Sequence, residues 1–464
     1  MFRELARLLP ADRVILDSSE LAVYECDALP VHRRAPDAVV LCETRDEVVA
    51  VVRWCGERGV PFVPRGAGTG LSGGCTPLQG GVVLDLNRMN RIKRIDPENR
   101  FAVVEPGLIN VRLTEEAEPH GFHYAPDPSS QTACTLGGNV AENSGGPHCL
   151  KYGVTSDHIL GLEMVLPDAS VVRLGGPLAD HPGADLVGLF VGAEGTFGIV
   201  TEITVRLTPS PRTVRTFLAI FGTMAAACRT VTHITREGIL PVALEILDQR
   251  TIRAVEASVF AAGYPEDAAA VLLIELDGFE AGMDEDEAAI ERIVRANDPL
   301  EWRTARDERE RTMLWKGRKG AFGAMGRVDT DLYVLDGVVP RTALEATLTK
   351  VYEIADRYGV RVSNVFHAGD GNLHPNLSYD GRDADVTRRV LAAGREMLEA
   401  CVAAGGSISG EHGIGSEKKE FMPLLFDEDD LDLQITVRGV IDPNGIANPG
   451  KVFPDRRAKV VTRR

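Results

Sequence analysis

Two histidines, His367 and His374, bracket the run Ala-Gly-Asp-Gly-Asn-Leu, and a Glu411-His412 pair sits between Gly410 and Gly413. Three of these four side chains offer the imidazole nitrogens and carboxylate oxygens that hold a divalent ion. The fourth can move a proton near neutral pH. Residues 362–366 read as a short strand and Gly369-Asp370-Gly371-Asn372 is strong turn chemistry, so His367 and His374 are expected to flank a hairpin loop. Paired across a hairpin they would share a face, with Cβ atoms about 4.5–5.5 Å apart and both imidazoles able to reach one ion at about 2.0–2.1 Å.

The third ligand must come from another element. Val386, Val390, Met397, Leu398, Cys401 and Val402 recur at helical spacing until Gly405-Gly406 stops the helix. The short stretch Ser407-Ile408-Ser409-Gly410 then delivers Glu411 and His412. Neighbours on an extended segment point to opposite sides, so the two are not expected both to be ligands unless the glycines bend the chain sharply, and Glu411 is assigned to the metal and His412 to the reacting substrate. A lone histidine is more often a hydrogen-bonded imidazole of surface or core. Three of the chain's ten histidines, beside an acid and a cluster of glycines, favour a metal or catalytic centre.

Elements further upstream are built for a different kind of ligand. From Ala38 the pattern is strand, helix, strand and glycine loop: an apolar run, the capping box Thr44-Arg45-Asp46-Glu47, a helix ending at Gly59, and the proline-flanked strand Val60-Pro61-Phe62-Val63-Pro64 at a sheet edge. The loop Arg65-Gly66-Ala67-Gly68-Thr69-Gly70-Leu71-Ser72-Gly73-Gly74 contains G-x-G-x-x-G, but Pro77, Gly80 and Gly81 intervene before the next strand at residues 82–86. The dinucleotide fingerprint needs a helix at that point, so an ordinary Rossmann site is excluded and a backbone nest for phosphate remains. Further glycine-rich segments, at residues 124–146 and 191–200, place three such loops in one half of the chain. That density predicts close backbone approach to a large, flat, phosphorylated ligand.

The chain of 464 residues is long enough for about two or three domains. A net charge of −17 argues against a nucleic-acid or anionic-membrane surface, and an anionic substrate would need a local positive site. No run approaches the length of an integral membrane segment, and the first ten residues lack an apolar signal core, which predicts a cytoplasmic protein. The eight cysteines are scattered singly with no Cys-x-x-Cys, so an iron–sulfur cluster within this chain is not expected. The basic tail, residues 456–464, reads as a solvated terminus. Composition changes after Pro209-Ser210-Pro211, which sets a domain boundary near residue 210; the full division expected is 1–210, 211–415 and a C-terminal segment 416–464.

Arg65-Gly66-Ala67-Gly68-Thr69-Gly70, Pro126-Asp127-Pro128-Ser129-Ser130, Gly137-Gly138-Asn139-Val140-Ala141-Glu142-Asn143, Glu194-Gly195-Thr196, the 367–374 run, Gly410-Glu411-His412-Gly413 and Asn448-Pro449-Gly450-Lys451 occur in this order. Over nearly the whole chain this set resembles the flavoproteins that oxidise D-2-hydroxy acids, of the bacterial glycolate oxidase and D-lactate dehydrogenase type. The resemblance implies an α+β fold: a two-subdomain vanillyl-alcohol-oxidase/PCMH-type FAD domain and a cap domain with an antiparallel sheet flanked by helices, the C-terminal segment returning to the FAD domain. It implies noncovalent FAD held by Arg65, Gly66, Ala67, Gly68, Thr69, Gly70, Leu71, Pro128, Ser129, Gly137, Gly138, Asn139, Asn143, Ser144, Gly145, Glu194, Gly195, Ile199 and Asn448. His148, Cys134 and Cys149 are the alternatives for covalent attachment, by position alone.

The same resemblance makes His367, His374 and Glu411 ligands of Zn, Mn or Fe, His412 the base, Asn376 a substrate contact and Arg318 the carboxylate-binding arginine. A guanidinium suits that task because it holds a carboxylate bidentately. Phe322 stands where relatives that accept a second carboxylate carry threonine, which implies a small substrate such as glycolate or D-lactate. The implied reaction passes a hydride from Cα to flavin N5, with electrons leaving to another molecule. Partners would be a second FAD-fold subunit and an iron–sulfur subunit, with the assembly peripheral at the inner membrane. A metal-dependent hydrolase, a non-haem iron oxygenase and a non-catalytic FAD-fold assembly subunit are the competing readings.

Overall fold

In the computed structural model, which describes residues 1–178 and 182–455, the chain divides into two units. The first gathers residues 1–145, 153–210 and the segment from Glu411 onward; the second gathers residues 146–152 and 211–410. The last break precedes Glu411, whereas a division at 415 would keep Glu411 and His412 with the middle of the chain. The basic tail at 456–464 lies outside the described residues.

The first unit begins with a sheet ordered Val14–Ile15, Ala38–Leu41, Val82–Asp85 and Phe62–Arg65, the last three strands running parallel. Thr44 accepts the Glu47 N–H and the Glu47 carboxylate accepts that of Thr44, starting the helix Arg45–Arg58; Gly59 ends it in the left-handed conformation. Val48, Val51, Val52 and Cys55 lie on one stripe of this helix and pack on Val40, Val82 and Leu84. Pro61 and Pro64 cannot donate to a ladder, which suits Phe62–Arg65 to the edge it occupies. That edge is covered by the C-terminal segment, through Phe62 N–H to Ile446 O at 2.9 Å and Asn448 N–H to Phe62 O at 2.8 Å.

A second, antiparallel sheet runs Ile92–Asp96, Phe101–Val104, Ile199–Arg206, Ile159–Val165 and Val171–Gly175. Ile199–Arg206 alternates buried and half-exposed residues, the period-two pattern of a sheet with one face on a core. Among the described residues, no helix is long and apolar enough to cross a membrane.

The second unit is built on an antiparallel sheet whose centre is Thr213–Phe221, Ala270–Gly278, Ala243–Asp248 and Arg361–His367. Both faces are covered. Phe217, Ala219, Leu244, Ile246, Leu272, Ile274 and Phe366 face the helices Met224–Arg236, Met283–Arg295 and Leu344–Tyr358. The intervening residues Leu218, Ile220, Leu247, Val271, Leu273 and Val365 pack on Gln249–Glu256 and Glu308–Lys319. Alternation puts Thr216, Glu275, Glu245 and His367 on this second face, a polar row inside an apolar layer.

Asp383 caps the helix Ala384–Ala403 by accepting the N–H groups of Asp385 and Val386. After the helix, Ser407 exchanges hydrogen bonds with Val338 at 3.0 and 2.9 Å, which draws the chain back to the sheet beside Asp336.

Candidate active site

Strand register decides where the two histidines stand. Arg361 opposite Ser378 and His367 opposite Asn372 belong to one antiparallel register, so Val365, and not His367, faces His374. The histidines are therefore diagonal neighbours on a shared face, one step looser than a direct pair. Their ring centroids are still only 5.1 Å apart, with the planes at 87°. The hairpin is tight because Gly371, at φ +81°, presses against the Val339 carbonyl where a Cβ would collide.

Each ring is oriented through Nδ1. His367 Nδ1 lies 2.8 Å from Glu245 Oε1, and His374 Nδ1 lies 3.2 Å from the Leu335 carbonyl and 3.9 Å from Asp336 Oδ1. A carboxylate or carbonyl on Nδ1 fixes the tautomer in which Nε2 carries the lone pair, the arrangement found behind metal-bound imidazoles. The pair thus fits a divalent ion at Nε2.

Arg318, on the helix Glu308–Lys319, is completely buried instead of being an exposed member of its basic run. Its Nε and Nη2 donate to Glu245 Oε2 at 2.6 and 2.5 Å. Nη1 has no partner among the described residues. Asn376 is also fully buried; its Nδ2 donates to the His374 carbonyl at 2.7 Å and its Oδ1 is unmatched. Leaving buried polar atoms unmatched costs about 1–3 kcal/mol each, which a bound acid would recover. The Phe322 ring meets His374 edge-on at 6.2 Å, so an aromatic wall closes the site next to the second histidine.

Asp336 organises the approach to Glu411. It accepts the Asn372 amide at 2.8 Å, the Ser409 hydroxyl at 2.7 Å and the Gly410 N–H at 3.0 Å. Glu411 and His412 follow directly. Glu411 Oε1 and His412 Nε2 are 3.8 Å apart, so the two side chains converge; the chain is bent at these positions and not extended, and strand alternation does not apply. Glu245 and Asp336 carry the arrangement and were not singled out from sequence. A charged residue inside the apolar run Ala243–Asp248 was the available signal, since such residues are buried only when paired.

The glycine loops meet in the first unit. From Gly66 to Leu71 the backbone N–H groups donate to no acceptor among the described residues, which suits a phosphate nest. The Arg65 guanidinium lies against this loop, where a Cβ on Gly68 would collide with it; its Nη1 donates to Cys26 O at 2.9 Å and it sits 5.5 Å from the Tyr24 ring centroid. Thr135 caps the helix Leu136–Glu142, and a Cβ on Gly66 would land on its hydroxyl. Gly137 presses on Pro106 and Gly195, at φ +71°, on Pro64. Several of these glycines therefore let loops approach one another. Asn448 ties the last loop in, its Nδ2 donating to Gly74 O at 2.8 Å and Glu194 O at 2.6 Å. Asn139 is buried and accepts the Asn110 amide at 2.9 Å, while Asn143 ends its helix in the left-handed conformation. Of the positions considered for covalent attachment, Cys134 is buried against Asn139, and His148 meets the Trp315 ring at a tilt of 51°, with the centroids 5.2 Å apart.

Glu194 is fully enclosed; burial pushes its carboxyl up to about 7, against the N–H groups of Ile414 and Gly415 at 2.7 Å and the Lys418 and Lys451 charges, which pull it down. Glu142 beside it is raised by burial and by the Glu194 charge.

Residues 210–452 match the C-terminal domain of FAD-linked oxidases, and residues 36–175 match an FAD-binding domain. The chain is 44% identical over 446 residues to the glycolate oxidase subunit GlcD of Escherichia coli K12, covering 96% of this chain and 89% of that one. It is 42% identical over 444 residues to the subunit of the same name in Bacillus subtilis, covering 95% and 94% of the two chains. The D-lactate dehydrogenase of Archaeoglobus fulgidus is 33% identical over 435 residues, covering 92% and 95%. Among solved structures, p-cresol methylhydroxylase superposes with a TM-score of 0.83 at 20% identity, over 98% of this chain and 96% of that one. The 4-ethylphenol oxidase of Gulosibacter chungangensis gives 0.81 at 21% identity, over 98% and 97%. At such identities the likeness is one of fold: an α+β PCMH-type FAD domain with a cap carrying an antiparallel sheet flanked by helices.

Proposed function

This chain belongs to the FAD-linked oxidases, and we propose that it oxidises a small 2-hydroxy acid, glycolate or D-lactate, to the 2-oxo acid with the help of a divalent metal. That it is an FAD-linked oxidoreductase follows from the family. The substrate class rests on the names of its relatives and on one observation: a fully buried guanidinium with an unmatched Nη1, beside two histidines whose Nδ1 atoms are already engaged. A buried cation with an open donor is a site for an anion, and a carboxylate accepts from it with about twice the strength of a neutral group.

Bound FAD would supply the hydride acceptor, and a divalent ion held by His367, His374 and Glu411 a Lewis acid that acidifies the substrate hydroxyl. Arg318 grips one end of the acid through Nη1, and Asn376 offers Oδ1 to a hydroxyl. His412 takes the hydroxyl proton, a task matched to an imidazole whose ordinary pKa lies near working pH. With the acid fixed at both ends, the Cα–H bond has one orientation, and proximity replaces a search. Phe322, edge-on to His374, offers nothing to a second carboxylate, which supports a small substrate.

Electrons leave to a separate acceptor. Two relatives are named as subunits, which supports partner subunits for this chain; the partners proposed are a second FAD-fold subunit and an iron–sulfur subunit, in the cytoplasm or peripherally at the inner membrane. The test is the visible spectrum of the purified protein, followed by anaerobic titration with glycolate, D-lactate and L-lactate, each with and without a chelator. Bleaching of the flavin band by glycolate or D-lactate, abolished by chelation, is expected. Bleaching that survives complete metal removal would overturn the metal's part, and a protein that cannot be loaded with FAD would overturn the whole reading.

A further inference from the structure

The charged row on the inner sheet face contains one side chain that touches both halves of the proposed chemistry. Glu245 is 1% exposed and sits on the central strand Ala243–Asp248, with His367 as its cross-strand partner. One carboxylate oxygen, Oε2, accepts both Nε and Nη2 of Arg318 at 2.6 and 2.5 Å; His367 Nδ1 lies 2.8 Å from the other, Oε1, and 3.0 Å from Oε2. Arg318 Nη2 and His367 Nδ1 are themselves only 3.3 Å apart. Two hydrogen-bond donors at that distance need an acceptor between them.

We infer that Glu245 is a positioning residue that sets metal affinity and substrate-carboxylate affinity together. It does so by fixing the His367 tautomer with the proton on Nδ1 and by occupying two guanidinium donors, so that Nη1 alone is presented. This inference rests on the function proposed above. A purely structural ion pair would need only the Arg318 contact. The second oxygen, directed at a histidine whose other nitrogen is the candidate ligand atom, is what a structural pair leaves unexplained. Glutamine at this position keeps the shape but removes the charge, and its amide nitrogen must face a donor, either the guanidinium or Nδ1–H, so the hold on both partners is weakened whichever way it turns.

The experiment compares the FAD-loaded wild-type chain with Glu245→Gln. Zn²⁺ and Mn²⁺ affinities are measured by competition with a chelator of known strength, and the KM and kcat for glycolate and D-lactate are measured with metal saturating. Thermal midpoints serve as the structural control. The expected result is FAD content equal to wild type, metal affinity weaker by about 10–100-fold, and a KM raised about tenfold or more. A variant that melts lower but keeps both metal affinity and KM within twofold of wild type overturns the inference. If Glu245→Gln does not fold, Glu245→Asp retains the charge opposite Arg318 and carries the same two readouts, since its shorter reach cannot satisfy both partners. A wild-type chain that binds FAD but neither metal nor acid would fail the proposed function itself and take this inference with it.

Discussion

At the scale of single residues, the four side chains proposed for metal and proton chemistry were legible because their types are few and their purposes narrow. His412 is the sharpest test. Replacing it by alanine should leave FAD bound while slowing flavin reduction by about 10²–10⁴-fold, the usual contribution of a general base. Stopped-flow reduction under anaerobic conditions measures this, and an unchanged rate would remove His412 from the chemistry. Arg318→Lys addresses the other end of the acid. A lysine has no fork, cannot hold Glu245 and a carboxylate at once, and should raise KM about 10–100-fold, equivalent to losing a charge-assisted hydrogen bond of about 1.5–3 kcal/mol. The roles of Glu245 and Asp336 were hidden for a physical reason: each acts through another side chain, and the contact that gives it meaning joins positions as far apart as Glu245 and His367. Sequence spacing carries no record of such a pair.

At the scale of elements, capping chemistry and period were good guides. Thr44 with Glu47 marked a helix start, Gly59 its end, and the prolines around Phe62 an edge strand, and each is found so. Register was not readable: the turn at 369–372 predicted a hairpin, yet a shift of two residues separates a direct pair of histidines from the diagonal pair observed. Nor does glycine content say what approaches the backbone. Gly59 and Gly195 both have positive φ, but nothing lies within 4 Å of a Cβ added to Gly59, whereas one on Gly195 meets Pro64. Alanine at Gly59 should therefore cost about 1 kcal/mol for conformation alone. At Gly195 it should cost about 2–4 kcal/mol, with strain and crowding added and FAD retention weakened as the loop shifts against Pro64. Chemical denaturation of the two variants beside wild type separates these effects. Equal losses would mean that the Pro64 contact relaxes freely and that Gly195 is conserved in shape by its φ alone.

At the scale of the whole molecule, the α+β architecture was legible because ordered motifs spanned nearly the whole chain, while the assignment of Glu411 and His412 to the first unit was not, since a break in contacts leaves no mark in composition. A net charge of −17 was equally silent about where acids are buried, and that placement has a global consequence. Glu194, at about 7 in the folded protein against an ordinary 4.5, binds more protons folded than unfolded between those two values. A carboxyl raised in this way contributes stability that is fully present below about pH 4.5 and is lost as pH rises through about 7, amounting to about 3 kcal/mol for a shift of this size. Glu275 has the opposite sign. Burial would raise it, but the hydrogen bonds from His148 and Arg311 hold it at about 2, so its contribution is present above pH 4.5 and is lost on acidification toward 2. The two windows do not overlap, and a mutation at Glu194 can be read in its own. Between pH 5 and pH 8 the thermal midpoint of wild type should fall more steeply than that of Glu194→Gln, which is neutral throughout and can still offer an oxygen toward Ile414 or Gly415. Parallel slopes would mean that Glu194 is ionised in the folded chain, with Lys418 and Lys451 outweighing its burial, and the Glu142–Glu194 pair would then share its proton on the Glu142 side.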